Sequence, residues 1–143
     1  MDDNPDIESE LPERAYEMDA NLVDSVLSFI ETQDKNGLVA LFDQYHAADI
    51  ADLFEQIDPT SRSALIHLWG KEIDGEVFAE MDEGLSGELI EEMSDELVSQ
   101  VLKDLETDDV VDLVEDLEKS EQNRVIEVLD TTDQIAVLNS LKY

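Results

Sequence analysis

Carboxylates are the side chains of this sequence most able to do chemistry, and the stretch from Thr107 to Leu117 shows how they are arranged. Its apolar residues recur at i, i+3, i+4 and i+7, which is typical of a short amphipathic helix, and Thr107 is the predicted N-cap. Asp108 and Asp112 lie four residues apart, so one helix face carries two carboxylates with Cβ atoms about 6 Å apart. A hydrated divalent cation would relieve their repulsion, because Mg²⁺ and Ca²⁺ prefer oxygen ligands and Mg²⁺ keeps most of its water. On spacing alone, a solvated surface with Asp108 at the helix N-terminus is the simpler interpretation.

The sequence gives little support for a catalytic function. The two histidines, His46 and His67, have no neighbouring Ser, Cys or Asp in an arrangement that favours nucleophilic catalysis. No glycine-rich phosphate loop, His-Glu-x-x-His motif or EF-hand loop occurs. Acid pairs are so common here that no single pair indicates acid–base chemistry, which leaves a carboxylate hydrolase as a weak alternative. We predict no catalytic and no cofactor-binding residues.

The charge balance restricts the partners. The chain has 39 Asp and Glu against 8 Lys and Arg, a formal net charge of −31, which repels nucleic acid and anionic lipid and attracts cations or basic proteins. The absence of cysteine fits a cytoplasmic protein and excludes disulfide and zinc-finger chemistry. No apolar run approaches the roughly 20 residues of a membrane span. We therefore expect no nucleic-acid partner and no direct membrane insertion by this chain.

An apolar triplet with members at i, i+1 and i+4 repeats every twelve residues and must position these carboxylates. All 27 positions of its nine copies are apolar, which makes the repeat real rather than accidental. The copies are Leu41/Phe42/Tyr45, Leu53/Phe54/Ile57, Leu65/Ile66/Trp69, Val77/Phe78/Met81, Leu89/Ile90/Met93, Val101/Leu102/Leu105, Leu113/Val114/Leu117, Val125/Ile126/Leu129 and Val137/Leu138/Leu141. Twelve residues hold about eight or nine residues of helix plus a turn, so the repeat predicts an all-α stack of very short helices.

Polar residues between the triplets divide the chain into these helices. The predicted helix starters are Asp58 with Pro59, Asp82, Ser94, Thr107, Ser120, and Thr131 with Gln134 at capping-box spacing. Residues 1–10 are interpreted as a flexible acidic tail, residues 13–33 as a longer helix that caps the stack, and residues 34–37 as a turn. Residues 11–143 then form one domain.

Three motifs resemble the cytoplasmic N-terminal domain of MgtE-type magnesium channels and transporters. The segment from His46 to Pro59 reads His-Ala-Ala-Asp-Ile-Ala-Asp-Leu-Phe-Glu-Gln-Ile-Asp-Pro, close to the family's His-Pro-Ala-Asp-Ile-Ala-Asp-Leu-Leu-Glu…Leu-Asp-Pro signature. The stretches 105–117 and 138–143 match the family as well, so the resemblance covers about residues 36–143. Ala47 replaces the family's usual proline, which affects a helix start rather than an ion site.

The resemblance implies both a fold and a function. It implies a right-handed superhelix of about ten short helices, followed in that family by paired CBS domains, a connecting helix and a membrane pore, all absent from this chain. Magnesium bound between the N domain and the CBS domains holds the pore shut when cytosolic Mg²⁺ is high. By local alignment the family's acidic ligands fall on Glu76, Asp108 and Asp112.

On this resemblance the chain is expected to be a Mg²⁺-sensing regulatory domain of a magnesium transporter and not an enzyme. It would bind Mg²⁺ weakly when isolated, dimerise through its parent protein, and lie at the cytoplasmic face of the cell membrane as part of an integral membrane protein. The alternative is a free-standing acidic helical-repeat scaffold that binds a basic protein partner. CBS and membrane segments downstream in the reading frame would separate the two.

Overall fold

The computed structural model describes residues 21–142 of the chain, and every regular element in that range is helical. Helix α1 covers 21–32, and a 3₁₀ turn at Gly70–Glu72 follows α4. The other helices are α2 (Lys35–Phe42), α3 (Ala47–Gln56), α4 (Pro59–Trp69), α5 (Glu76–Glu80), α6 (Glu83–Glu92), α7 (Asp95–Lys103), α8 (Thr107–Glu115), α9 (Lys119–Val128) and α10 (Thr131–Leu141). The predicted all-α class with about ten short helices is confirmed over this range, whereas the right-handed superhelix stays a prediction. The proposed acidic tail at 1–10 and the first part of the predicted longer helix lie outside the described residues.

The apolar triplets form the core, as the repeat predicts. From Leu53 to Leu129 every triplet residue is buried except Ile126, which is half-buried. Helices that are two apart along the chain pack on each other, with α8 against α10, α3 against α5, α7 against α9, and α2 against α4. In these pairs the apolar triplets of one helix pack against a helix two places along the chain, so the twelve-residue step keeps successive triplets in one continuous core.

Short polar side chains begin several helices where the sequence predicts it. The Asp58 carboxylate accepts a hydrogen bond from the Ser61 N–H at 2.7 Å, and Pro59 is the first residue of α4. The Ser94 hydroxyl accepts from the Leu97 N–H at 3.2 Å and begins α7. These side chains satisfy N–H groups that have no partner within the helix.

Other predicted starts are shifted by one or two residues. Asp130, not Thr131, caps α10, because its carboxylate accepts from the Asp133 N–H at 2.8 Å and is a better cap than a threonine hydroxyl. Thr107 likewise lies inside α8, whose N-cap is Glu106, and its hydroxyl instead donates to the Asp133 carboxylate at 2.8 Å. The start predicted at Ser120 moves to Lys119, with Glu118 as N-cap.

The turn predicted at residues 34–37 is wrong, because that segment begins α2. The Asp34 carboxylate accepts from the Gly37 N–H at 2.9 Å, which makes Asp34 the N-cap and places Gly37 within the helix. The chain reverses one residue earlier, at Gln33, whose φ of 58° is left-handed.

One side-chain position of the repeat closes the end of the preceding helix. Arg62, Gln122 and Gln134 are separated by multiples of twelve residues, and each donates to the carbonyl eight residues earlier, at 2.6, 3.0 and 2.8 Å respectively. The last carbonyls of a helix accept no hydrogen bond within it, and a buried carbonyl without a partner is destabilising. These bonds therefore stabilise the helix ends. Three units of the repeat thus use this position to close the end of the preceding helix.

Arg124 connects α9 to the corner between α6 and α7. Its guanidinium donates to the Ile90 carbonyl at 3.2 Å and to the Met93 carbonyl, and pairs with Asp95 and Glu121 at 2.8 Å each. Solvent loss lowers the pKa of Arg124, but hydrogen bonds and charge from these two carboxylates outweigh it and raise the pKa overall. The arginine therefore remains charged and holds three helices in one arrangement.

Two leucines at the same repeat position allow a matched test of the seam. Leu102 is the second residue of its triplet and 1% exposed, whereas Leu138 has the same position in the last triplet and is 48% exposed. We expect Leu102→Ala to lower the free energy of unfolding by about 2–5 kcal/mol, since it leaves a cavity in the core. Leu138→Ala should cost less than about 1 kcal/mol. Urea unfolding followed by circular dichroism measures the free energy of unfolding of both variants. Equal decreases would contradict the assignment of Leu102 to the core and Leu138 to the surface.

Candidate cation site

A close backbone contact positions Glu76, the first of the predicted ligands. A Cβ on Gly75 would lie 2.1 Å from the carbonyl oxygen of Val101, so the backbone before α5 packs directly on the end of α7. The backbone angles of Gly75 (φ −58°, ψ −28°) suit any residue, so space and not conformation requires glycine here. This contact places Glu76 beside the turn that leads from α7 into α8.

The carboxyl group of Glu76 lies in a repulsive electrostatic environment. Its pKa is raised above the usual value, first by loss of solvent around the carboxylate and then by the negative charges of Asp109, Asp74, Glu106 and Glu80. A raised pKa means that the ionised carboxylate is less stable here than in water. A cation bound nearby would instead lower the pKa of Glu76, because it would favour the charged carboxylate.

A row of carboxylates on α8 continues this acidic surface. Asp109, Asp112 and Asp116 are spaced i, i+3 and i+7 and line a notch of about 170 Å³ between α8 and the α5–α6 segment. The remaining lining residues are Phe78, Ala79, Met81, Ser86 and Leu113. Asp109 is half-buried, whereas Asp112 and Asp116 are exposed and free to turn toward a ligand. The row lies beside the buried apolar residues of α8.

The structure does not bring the three predicted ligands together in one site. Glu76 lies within the electrostatic influence of Asp109, a residue outside the predicted set, and Asp112 lines the notch. Asp108 is exposed on α8 and is not among the residues lining the notch. The i, i+3, i+7 spacing of Asp109, Asp112 and Asp116 beside Leu113 was the signal that could have identified the row. The proximity of Asp109 to Glu76, in contrast, depends on a contact between distant segments.

Chemically, this surface can offer a cation a small number of exposed oxygen ligands. Within residues 21–142 no group of three or more His, Cys, Asp or Glu side chains is gathered closely enough to hold a metal ion. Hydrated Mg²⁺ asks for one or two carboxylates and keeps its remaining waters, so Glu76 with the carboxylates of α8 fits a partial coordination shell. In the same range no helix has the length and apolar character that crossing a membrane requires.

Two glycines test the contact that positions Glu76. Gly75→Ala should lower the free energy of unfolding by about 1–3 kcal/mol, because the new methyl group meets a backbone carbonyl that cannot turn away. Gly84, in α6, has nothing within 4 Å of its Cβ position, so Gly84→Ala should leave stability unchanged or raise it by up to about 1 kcal/mol. Chemical denaturation compares the two. Equal effects of the same sign would show that α5 does not rest on α7 as described.

Solved structures share this fold. The soluble part of a magnesium transporter aligns with a TM-score of 0.73 at 21% sequence identity, covering 87% of this chain and 50% of that one. The cytosolic domain of the Mg²⁺ channel MgtE in complex with ATP aligns with a TM-score of 0.71 at 18% identity, covering 85% and 50%. The chain thus spans about half the length of each structure. No curated protein sequence matches it.

The sequence itself carries the family assignment. The model of the MgtE intracellular N domain matches residues 45–143, well over half of the chain. That range contains the motifs of α3 and α8 and the acidic surface between α5 and α8. The chain therefore belongs to the family of MgtE intracellular N domains.

Proposed function

We propose that this chain is the cytosolic Mg²⁺-sensing regulatory domain of a magnesium transporter or channel, and that it closes against CBS domains when Mg²⁺ is bound and so inhibits transport. The observation that carries the proposal is the acidic surface between α5 and α8, with Asp109, Asp112 and Asp116 lining its notch and Glu76 beside it, in a member of the MgtE N-domain family. Such a surface is stabilised by a cation. The magnesium transporter and Mg²⁺ channel among the structural neighbours support magnesium as that cation.

In this proposal Glu76, Asp108 and Asp112 bind Mg²⁺ through water as parts of sites that the CBS domains complete, not as one three-carboxylate cluster, and Asp109 supplies further negative charge beside Glu76. The ion neutralises charge and takes no part in a reaction, so the domain is not an enzyme. A second acidic surface, on the CBS domains, repels the α5–α8 surface until cations neutralise both. Closure then reports the cytosolic Mg²⁺ concentration.

The location and partners of the domain are part of the same proposal. The domain lies at the cytoplasmic face of the cell membrane as part of an integral membrane protein, dimerises through that protein, and has no nucleic-acid partner. The free-standing scaffold for a basic protein is not favoured, because the chain belongs to a family defined by MgtE and spans about half the length of its structural neighbours.

Magnesium should stabilise the isolated chain in two separable ways. Screening of self-repulsion is supplied by any salt at matched ionic strength. Specific binding adds RT ln(1 + [L]/Kd), about 0.4 kcal/mol when the free ion equals Kd, so the excess over an NaCl control should be small but measurable as a rise in Tm. Asp108→Asn/Asp112→Asn should remove most of that excess.

A charge-matched double variant controls for the loss of two carboxylates. Asp24 and Glu31 are exposed on α1, so Asp24→Asn/Glu31→Gln should retain the Mg²⁺-specific rise in Tm. In the full protein, the Asp108/Asp112 variant should need more Mg²⁺ to gain protection from proteolysis. Closure at the wild-type Mg²⁺ concentration would mean that these two carboxylates are not ligands.

A further inference from the structure

Asn36 is the one asparagine of this sequence that a glycine follows. The backbone nitrogen after an asparagine can attack the side-chain carbonyl of that asparagine, and a following glycine places no side chain in the way. The other asparagines precede bulkier residues; they are Asn4, Asn21, Asn123 and Asn139. Asn36 is therefore the asparagine that the sequence makes most reactive toward its own backbone.

The packing of α1 on α2 explains why glycine occupies position 37. A Cβ atom on Gly37 would lie 2.5 Å from Cε1 of Phe29 and 2.7 Å from a carboxylate oxygen of Asp34. The first turn of α2 thus begins against an aromatic ring with no room for a methyl group, and the next residue, Leu38, is fully buried. The fold favours the same glycine that makes Asn36 labile.

In the folded chain the attacking nitrogen is protected, although the Asn36 side chain is exposed to water. The Gly37 N–H donates to the Asp34 carboxylate at 2.9 Å, the bond that caps α2. Attack requires this nitrogen to lose its proton, and a hydrogen bond to a negative charge holds the proton in place. The helical backbone at Asn36 also fixes the nitrogen away from the geometry of ring closure, so the first turn must open before reaction.

We propose that Asn36 is a site of spontaneous deamidation and that the Asp34 cap sets its rate by holding the first turn of α2 closed. In the opened turn a hydroxide ion removes the Gly37 amide proton, the nitrogen attacks Cγ of Asn36, and ammonia leaves with a proton from water. Water then opens the resulting succinimide ring at either carbonyl and gives aspartate or isoaspartate. The inference goes beyond magnesium sensing and does not depend on it.

The two products have opposite effects on α2. Aspartate at position 36 adds a negative charge to a first helical turn that has no acidic residue, and the helix dipole favours that charge. Isoaspartate inserts a methylene group into the backbone, which displaces Gly37 from its place against Phe29 and Leu38 from the core. Because α2 packs on α4, isoaspartate would loosen both helices. Deamidation thus records irreversibly how often α2 opens.

Peptide mapping by mass spectrometry of the whole 143-residue chain, incubated at mildly alkaline pH, tests the site. Deamidation at Asn36 should be at least about tenfold slower in NaCl than in guanidinium chloride of equal concentration, because ring closure needs an opened turn. Isomerisation of Asp74, which also precedes a glycine, leaves the mass unchanged and does not interfere. Equal rates in the two salts, or no mass gain at Asn36 in the unfolded chain, would overturn the proposal.

Removal of the cap separates opening of α2 from opening of the whole domain. Asp34→Ala should accelerate deamidation of the folded chain about 2- to 30-fold, which is the 0.5–2 kcal/mol of a lost cap converted at 1.4 kcal/mol per factor of ten. Asp34→Ser should restore most of the slow rate, because a serine hydroxyl also caps a helix. Asp130→Ala removes the corresponding cap of α10 and should leave the rate at Asn36 unchanged.

Circular dichroism melts of the three variants show that each is folded under the conditions of incubation. An unchanged rate in Asp34→Ala, or a rate in Asp34→Ser as fast as in Asp34→Ala, would show that the cap does not protect Asn36 and would overturn the proposal. Equal acceleration by Asp34→Ala and Asp130→Ala would overturn it as well, because the rate would then follow the stability of the whole domain.

Discussion

Repulsion among carboxylates is the constraint under which every helix of this protein packs. The chain carries 39 acidic groups and 8 basic ones, and the fold must exist despite that imbalance. Fully burying a leucine or phenylalanine contributes about 1.5–3 kcal/mol, whereas an exposed like-charge pair one helical turn apart costs a few tenths. The apolar triplets therefore prevail, and the acidic groups remain at the surface where water and salt weaken their repulsion.

Arg62 and Arg124 stabilise the helix packing and leave most surface carboxylates without a basic partner. Arg62 donates to carbonyls at the end of α3, and Arg124 joins α9 to the α6–α7 corner. Asp95 and Glu121 are thereby paired, whereas loss of solvent and then the neighbouring carboxylates raise the pKa of Glu76. In the proposed function this surface responds to cation concentration, because a bound cation would relieve the repulsion among its carboxylates.

The sequence predicts the core far better than the site, for physical reasons. A period of twelve is a property of each short segment, so spacing alone assigns the triplet residues to the seam. Helix starts are less certain because neighbouring polar residues compete as caps, as Asp130 does with Thr131. The proximity of Glu76 to Asp109 could not be predicted from spacing, since the two residues belong to different helices, α5 and α8. The exposure of Leu138 within residues 21–142 could not be predicted either, because periodicity does not reveal which side of each helix its neighbours cover.

The pKa of the Glu76 carboxyl, followed by ¹³C NMR with and without Mg²⁺, tests the central claim most directly. The account predicts a pKa above the usual glutamate value in the metal-free chain. Millimolar Mg²⁺ should lower it more than NaCl of equal ionic strength does, because a bound cation favours the charged form. An ordinary pKa, or equal shifts with Mg²⁺ and NaCl, would contradict the claim that this carboxylate is part of a magnesium-responsive surface.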